Sequence, residues 1–355
     1  MTVFWSIIAA VFIFGFLILA HEAGHYFVAR RCGVTIEEFS VGMGPKLFSR
    51  KMKKYDTVFS LRALPIGGYV AMVGENGDED LPGALSAKPA WQRFLVFAAG
   101  ATINLVVGFL IVILIVCLSA SQGNLASNTI AGFQEGAISN AEGGLQPGDV
   151  VIKVGGVSVH SGEELTYEIT NQGSEPIDLT VVRNGEKIVL VDVRFPTFEE
   201  SGVTFGNYDF YVLAEQNPGI FKILQISFYR AGSLVKMVWD SVLGLITGRF
   251  GMQAISGPVG ITAAVAETIE KSNWTPMQIL HYVLYITAVI SINLGVFNLI
   301  PFPALDGGRL LFLLIEIIIG KKVNPDIEAK IHLVGIALLM VLMLFVVSKD
   351  IVSLF

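Results

Sequence analysis

From Phe4 to Ala20 the chain carries no charge and only one polar side chain, Ser6, and this run ends in His21-Glu-Ala-Gly-His25. A helix continued from Phe4 through His25 would be ~33 Å long at ~1.5 Å per residue. That suffices to cross a bilayer core of ~30 Å. Two imidazoles and a carboxylate would then sit inside a membrane helix or at its rim. Ionisable groups at such depth are costly and by default mark a working site.

The spacing narrows the chemistry. Residues i and i+4 of a helix share a face about one turn apart, so His21 and His25 can grip one metal ion. Glu22 projects beside them, towards a water held there. This is the H-E-x-x-H pattern, in which two His bind Zn2+ and the Glu is the general base. On a soluble helix the match could be chance. In an uncharged apolar run, three polar groups need a common partner.

The chain has 355 residues, 53% hydrophobic and 15% charged, with a mean hydropathy of +0.65. That is too apolar for a wholly soluble protein and points to a membrane protein with one soluble insert. The net charge of −6 offers no footprint for nucleic acid. The two cysteines, Cys32 and Cys117, flank or sit in membrane segments, so no disulfide framework is expected. The first run lacks a basic n-region and reads as a retained helix, not a cleaved signal.

The sequence predicts a polytopic α-helical membrane protein with about four transmembrane helices, near 4–28, 94–120, 281–300 and 331–348. After the first comes a basic stretch, Arg30, Arg31, Lys46, Arg50, Lys51, Lys53, Lys54 and Arg62. Residues 29–93 hold ten Lys and Arg, against nine in the much longer 119–275. The positive-inside rule therefore puts 29–93 in the cytoplasm, both termini outside, and the His-Glu-His cluster towards the cytoplasmic side of the cell membrane. Glu75 to Asp80 read as a solvated acidic stretch. Val41–Pro45 and Leu61–Val70 are glycine-rich with short β-like flanks. They read either as a surface hairpin or as a hairpin dipping in beside the metal, whose free edge, with Gly67, Gly68 and Tyr69, would hold an extended substrate by strand addition. Asn104, inside the second span, reads as an interhelical hydrogen-bonding group.

Residues 121–197 change character. Strands are expected at 149–154, 157–160, 177–183 and 186–195, the last two joined by Asn184-Gly185, with a short helix at 163–171. Gly143-Gly-Leu-Gln-Pro-Gly-Asp-Val-Val-Ile152, followed by Gly155-Gly156, resembles the protease-associated PDZ domain. That resemblance implies an inserted extracytoplasmic PDZ-like α+β domain with a groove for a peptide or protein ligand. Residues 198–275 are amphipathic and read as helices on the membrane lipid surface, broken or kinked at Pro258. The third span ends in Asn298-Leu-Ile-Pro-Phe-Pro-Ala-Leu-Asp-Gly-Gly308. Two prolines break its helix, leaving Asp306 on irregular backbone at the membrane rim, where it is the best third ligand for zinc. His160, His281 and His332 lie far from the motif in sequence and read as structural.

Together, HEAGH, the glycine-rich hairpin, a single PDZ-like insert, the Gly257-Pro-Val-Gly-Ile261 segment and NLIPFPALDGG resemble the site-2 proteases, nearest to the bacterial RseP-type regulator branch. The likeness covers nearly the whole chain. It implies a zinc-dependent intramembrane endopeptidase that cleaves single-span membrane proteins such as anti-sigma factors or remnant signal peptides. His21, His25 and Asp306 would be zinc ligands, Glu22 the catalytic acid–base, and Asn298 a substrate-holding residue. Two other readings compete with it. One is a membrane metalloprotease of another class with Glu37, Glu38 or Glu75 as third ligand; the other is a PDZ-bearing scaffold without catalysis.

Overall fold

The computed structural model describes residues 2–51, 56–75, 81–200, 202–251 and 255–352. Lys53, Lys54 and residues 76–80 of the acidic stretch lie outside the described residues. Glu75, at its start, is not solvated as expected but half-buried, because it pairs with Arg309. The chain runs α1 (Thr2–Arg31), β1 (Ile36–Lys51), β2 (Val58–Met72) and α2 (Ala90–Ser121). Then follow β3 (Ala126–Phe133), β4 (Val150–Val154), β5 (Val157–Ser158), α3 (Gly162–Gln172), β6 (Ile177–Arg183) and β7 (Glu186–Val193). Next come β8 (Thr197–Glu200), β9 (Val203–Gly206), β10 (Phe210–Ala214) and α4 (Ile220–Ile246). The chain closes with α5 (Pro258–Lys271), α6 (Pro276–Leu299), α7 (Asp306–Ile319) and α8 (Pro325–Val352). Two compact units result: residues up to Gly108 together with those from Ser256 on, and Phe109–Ile255.

Among the described residues, four helices are long and apolar enough to cross a membrane: Ile8–Arg31, Ala90–Ser121, Pro276–Leu299 and Asp326–Val352. They coincide with the four expected spans to within five residues at each end. α6 begins at Pro276 because Thr275 and Gln278 form a capping box, satisfying first-turn amides that would otherwise be orphaned. α8 takes in Asp326 and Glu328, acids that suit the positive end of a helix. Pro258 does not break a helix. It opens α5, where its missing N–H costs nothing. The cap there comes from α8: the buried Asp350 Oδ2 accepts the Gly257 and Gly260 N–H groups at 3.0 and 2.8 Å.

In the first unit, α1, α2 and α6 approach closely through small residues. A Cβ at Gly24 would lie 2.6 Å from the Ala99 carbonyl oxygen, and one at Gly108 2.5 Å from Ile292 Cγ1. Membrane helices associate through such contacts, since lipid gives them no hydrophobic drive to pair. The Asn104 amide does not make the expected interhelical bond. It is buried and has no hydrogen-bond partner among the described residues, and the Asn104 main-chain carbonyl instead accepts the Ser291 hydroxyl at 2.7 Å. β1 and β2 pair antiparallel in a bulged two-stranded sheet. An edge-to-face cluster of Tyr26, Phe39 and Phe59, ring centroids 5.4 to 5.7 Å from Tyr26, fastens this hairpin to the last turns of α1. Val70, Phe97, Leu310 and Leu313 complete that core.

The second unit holds a sheet in the order β10-β3-β4-β6-β7, with β5 beside β4. Asn184 and Gly185 both take positive φ, as a two-residue hairpin turn between β6 and β7 demands. Ser161 caps α3, accepting the Glu164 N–H. The apolar sides of the sheet and α3 meet in a core of Ile130, Val151, Leu165, Ile169, Leu179 and Phe210. The sheet takes in β10, past the limit of 197 expected from the sequence. α4 docks on α3 through polar groups: Tyr167 donates to Asp240 at 2.9 Å, and Lys236 pairs with Glu168 at 2.9 Å. Its other side leaves Phe221, Phe228 and Ile246 exposed, the amphipathic character read from the sequence.

Candidate metal centre

His21 and His25 lie one turn apart on α1, and the Pro301–Leu305 turn delivers Asp306 to the same point. His21 Nε2, His25 Nε2 and Asp306 Oδ2 form a near-equilateral triangle: 3.1 Å between the nitrogens, 3.2 and 3.3 Å to the oxygen. Tetrahedral zinc with bonds of ~2.0–2.1 Å separates its ligand atoms by ~3.3–3.4 Å. The triangle therefore has the size of a zinc ligand set. Asp306 Oδ2 is buried and, among the described residues, takes no hydrogen bond, as an oxygen reserved for a cation would. Among the described residues these three form the only cluster of His, Cys, Asp and Glu close enough to share an ion. Asp306 is the first residue of α7, not part of an irregular segment; the irregular backbone is the turn before it.

Groups around the triangle orient it. His25 Nδ1 donates to the Val96 carbonyl at 2.8 Å, which fixes the tautomer and leaves the Nε2 lone pair towards the centre. His21 Nδ1 lies 3.4 Å from Asn298 Nδ2; with the amide flipped, its oxygen would accept the Nδ1 proton and leave Nε2 free for a metal. The site thus brings Asn298 to His21. Gly100 on α2 closes the back of the site. A Cβ there would lie 2.3 Å from His25 Nε2 and 2.6 Å from His21 Cε1. Gly100 was not singled out by the sequence reading. Its signal is only a glycine inside an apolar helix, with a role set by a neighbour 75 positions away.

Glu22 faces the hairpin. A Cβ at Gly68 would lie 3.3 Å from Glu22 Cγ and 3.6 Å from Ile18 Cγ2, so the hairpin runs against the catalytic-looking helix. Residues 68–72 pair on one side only, with 36–41, and their other edge has no strand partner among the described residues. Gly67 abuts Met43 instead of Glu22. The Tyr69 side chain turns to Arg62, whose guanidinium sits 5.2 Å from the ring centroid. The alternative acids are committed elsewhere. Glu38 binds Ser60, Lys46 and Arg62, Glu75 pairs with Arg309, and Glu37 is exposed. Burial alone would raise the Glu38 carboxyl, but those donors, with Tyr69, hold it at about 2.

The chain matches the model of peptidase family M50 over residues 9–342. It is 35% identical over 347 residues to a Clostridium perfringens chain, covering 98% of each. It is 30% identical to the zinc metalloprotease RasP of Shouchella clausii and 29% identical to the regulator of sigma-W protease RasP of Bacillus subtilis, covering 99% of each chain. A family match spanning the HEAGH helix, the Asp306 turn and everything between leaves one conclusion. The chain belongs to peptidase family M50.

Proposed function

We propose that this M50 peptidase is a zinc-dependent endopeptidase acting on membrane-spanning segments, with His21, His25 and Asp306 as the zinc ligands and Glu22 as the catalytic acid–base. The observation that carries this reading is the ligand-sized triangle on a membrane-spanning helix, with Glu22 one residue from His21. Bound there, zinc supplies a Lewis acid that acidifies water and polarises a peptide carbonyl. Glu22 takes a proton from the attacking water and delivers it to the leaving amine as the C–N bond breaks. The Val96 carbonyl keeps the His25 imidazole aimed with Nε2 inward, and Asn298, with its amide oxygen turned to Nδ1, would do the same for His21. Asn298, beside His21, also adjoins the place a substrate would occupy.

A transmembrane helix shields its amides, so the substrate must unwind to be cut. The free edge of residues 68–72 would hold it extended, main chain to main chain. The S. clausii name, a zinc metalloprotease, supports zinc, and the B. subtilis name, a regulator of sigma-W protease, supports a regulatory role. The substrates would be single-span membrane proteins such as anti-sigma factors, as the resemblance to site-2 proteases implies. The sheet-and-helix unit, resembling a PDZ domain, would bind a peptide or protein ligand outside the cytoplasm. The test is cleavage of a membrane-spanning reporter alongside zinc analysis. Glu22→Gln should keep about one zinc per chain and lose cleavage by ~10²-fold or more. A Glu22→Gln protein that still cleaves near the wild-type rate would remove Glu22 from its role.

A further inference from the structure

His332, on the last membrane helix, is 26 residues from Asp306 in sequence and reaches the same turn. Its Nδ1 accepts the Ala304 N–H at 3.0 Å. Ala304 has φ +82°, in the left-handed region that favours glycine, two residues before Asp306. A non-glycine residue stays there only if its surroundings hold it. One turn further along the same face of α8, Gly335 lets the helix backbone press on the turn: a Cβ there would lie 2.4 Å from the Pro303 carbonyl oxygen. On its far side the turn is equally tight. A Cβ at Gly307 would lie 2.0 Å from the Ile300 oxygen, and one at Gly308 2.6 Å from the Phe302 oxygen. Between these walls, the orientation of the Ala304 peptide dictates where the Asp306 carboxylate points.

We propose that His332 is a positioning residue for the metal centre: by accepting the Ala304 N–H it holds the turn that aims Asp306 at His21 and His25. The inference rests on the reading of Asp306 as a zinc ligand. It assigns α8 a part in building the site, although α8 contributes no ligand. With Nδ1 as acceptor, the ring carries its proton on Nε2. That nitrogen lies 3.9 Å from Glu328 Oε1, and the ring borders a cavity of about 350 Å³ shared with Arg93, Arg309 and Glu316. The ring also packs against Phe312, centroids 5.8 Å apart, so a packing role must be separated from the hydrogen bond.

Three substitutions separate them, read by zinc affinity in competition with a chelator on full-length protein in lipid. Asparagine places its amide oxygen where Nδ1 stands, one bond from Cγ, whereas glutamine carries its oxygen one carbon further and leucine has none. His332→Asn should bind zinc like the wild type, while His332→Gln and His332→Leu should lose ~10–100-fold in affinity. If His332→Leu does not fold, the Asn–Gln comparison decides, since both keep a polar side chain of similar size. Wild-type affinity in His332→Gln would overturn the proposal. So would an equal loss in folded Asn and Gln proteins, which would leave only ring packing. Asp306→Asn is run in parallel. Undiminished zinc in that variant would refute the ligand assignment itself, whereas zinc lost there but kept in every His332 variant would refute this inference alone.

Discussion

A metal centre on a membrane helix depends on what stands behind the ligands as much as on the ligands. His21 and His25 were legible because a 3.6-residue period puts i and i+4 on one face, and an apolar run makes any ionisable residue conspicuous. Gly100, Val96 and His332 were not, because their roles arise from contacts across 71 or more residues to His25, or 28 to Ala304, that leave no local pattern. Gly100 gives the clearest prediction at this scale. Gly100→Ala puts a methyl 2.3 Å from His25 Nε2, too close for either group to stay in place. Overpacking of this kind costs about 1–3 kcal/mol. Zinc content and cleavage should fall, while helix content by circular dichroism stays unchanged. Full zinc occupancy and normal cleavage would show that the helices can part without harm to the site.

At the scale of elements, the hairpin was legible as glycine-rich β-like flanks, but its long bulged strands were not. Gly42, Gly44 and Gly67, all with positive φ, interrupt the period-two alternation that marks a strand in sequence. β3 and β10 escaped notice because they pair across more than 70 residues, which leaves no hairpin turn between them to mark the pair. Two predictions belong here. Successive amides of a strand point to opposite edges, so of Tyr69→Pro and Val70→Pro one removes a donor from the free edge. That variant should slow cleavage of the reporter, the alanine variant should not, and zinc should remain in both; no effect from either proline would end the strand-addition reading. The hairpin itself leans on Glu38, held at about 2 from an ordinary 4.5 by Ser60, Lys46, Arg62 and Tyr69. A depressed carboxyl contributes stability that is fully present above its unfolded value and is lost as pH falls through the folded one. Protection of the 36–72 amides from hydrogen exchange, corrected for intrinsic rates, should therefore be flat above pH 5 and decline from 4.5 towards 2. Glu38→Gln should abolish that decline, and a decline persisting in the variant would assign it to another group.

For the whole molecule, four membrane helices and a β-rich insert were legible from hydropathy, because a spanning helix must be apolar along its length and a soluble domain cannot be. Sidedness rests on charge alone, which makes it directly testable. With Ser158→Cys and Lys53→Cys, an impermeant thiol reagent on intact cells should label the first and spare the second; the reverse would turn the protein over and move the metal centre to the outer face. The central claim concerns the metal. Zinc K-edge X-ray absorption of the membrane-embedded Glu22→Gln protein, which should hold substrate uncut, addresses it without relying on activity. The spectrum should show two imidazole nitrogens and carboxylate oxygen at ~2.0–2.1 Å, with one imidazole lost in a further His25→Ala change. A sulfur scatterer, or an imidazole count that His25→Ala leaves unaltered, would mean that His21, His25 and Asp306 are not what holds the zinc.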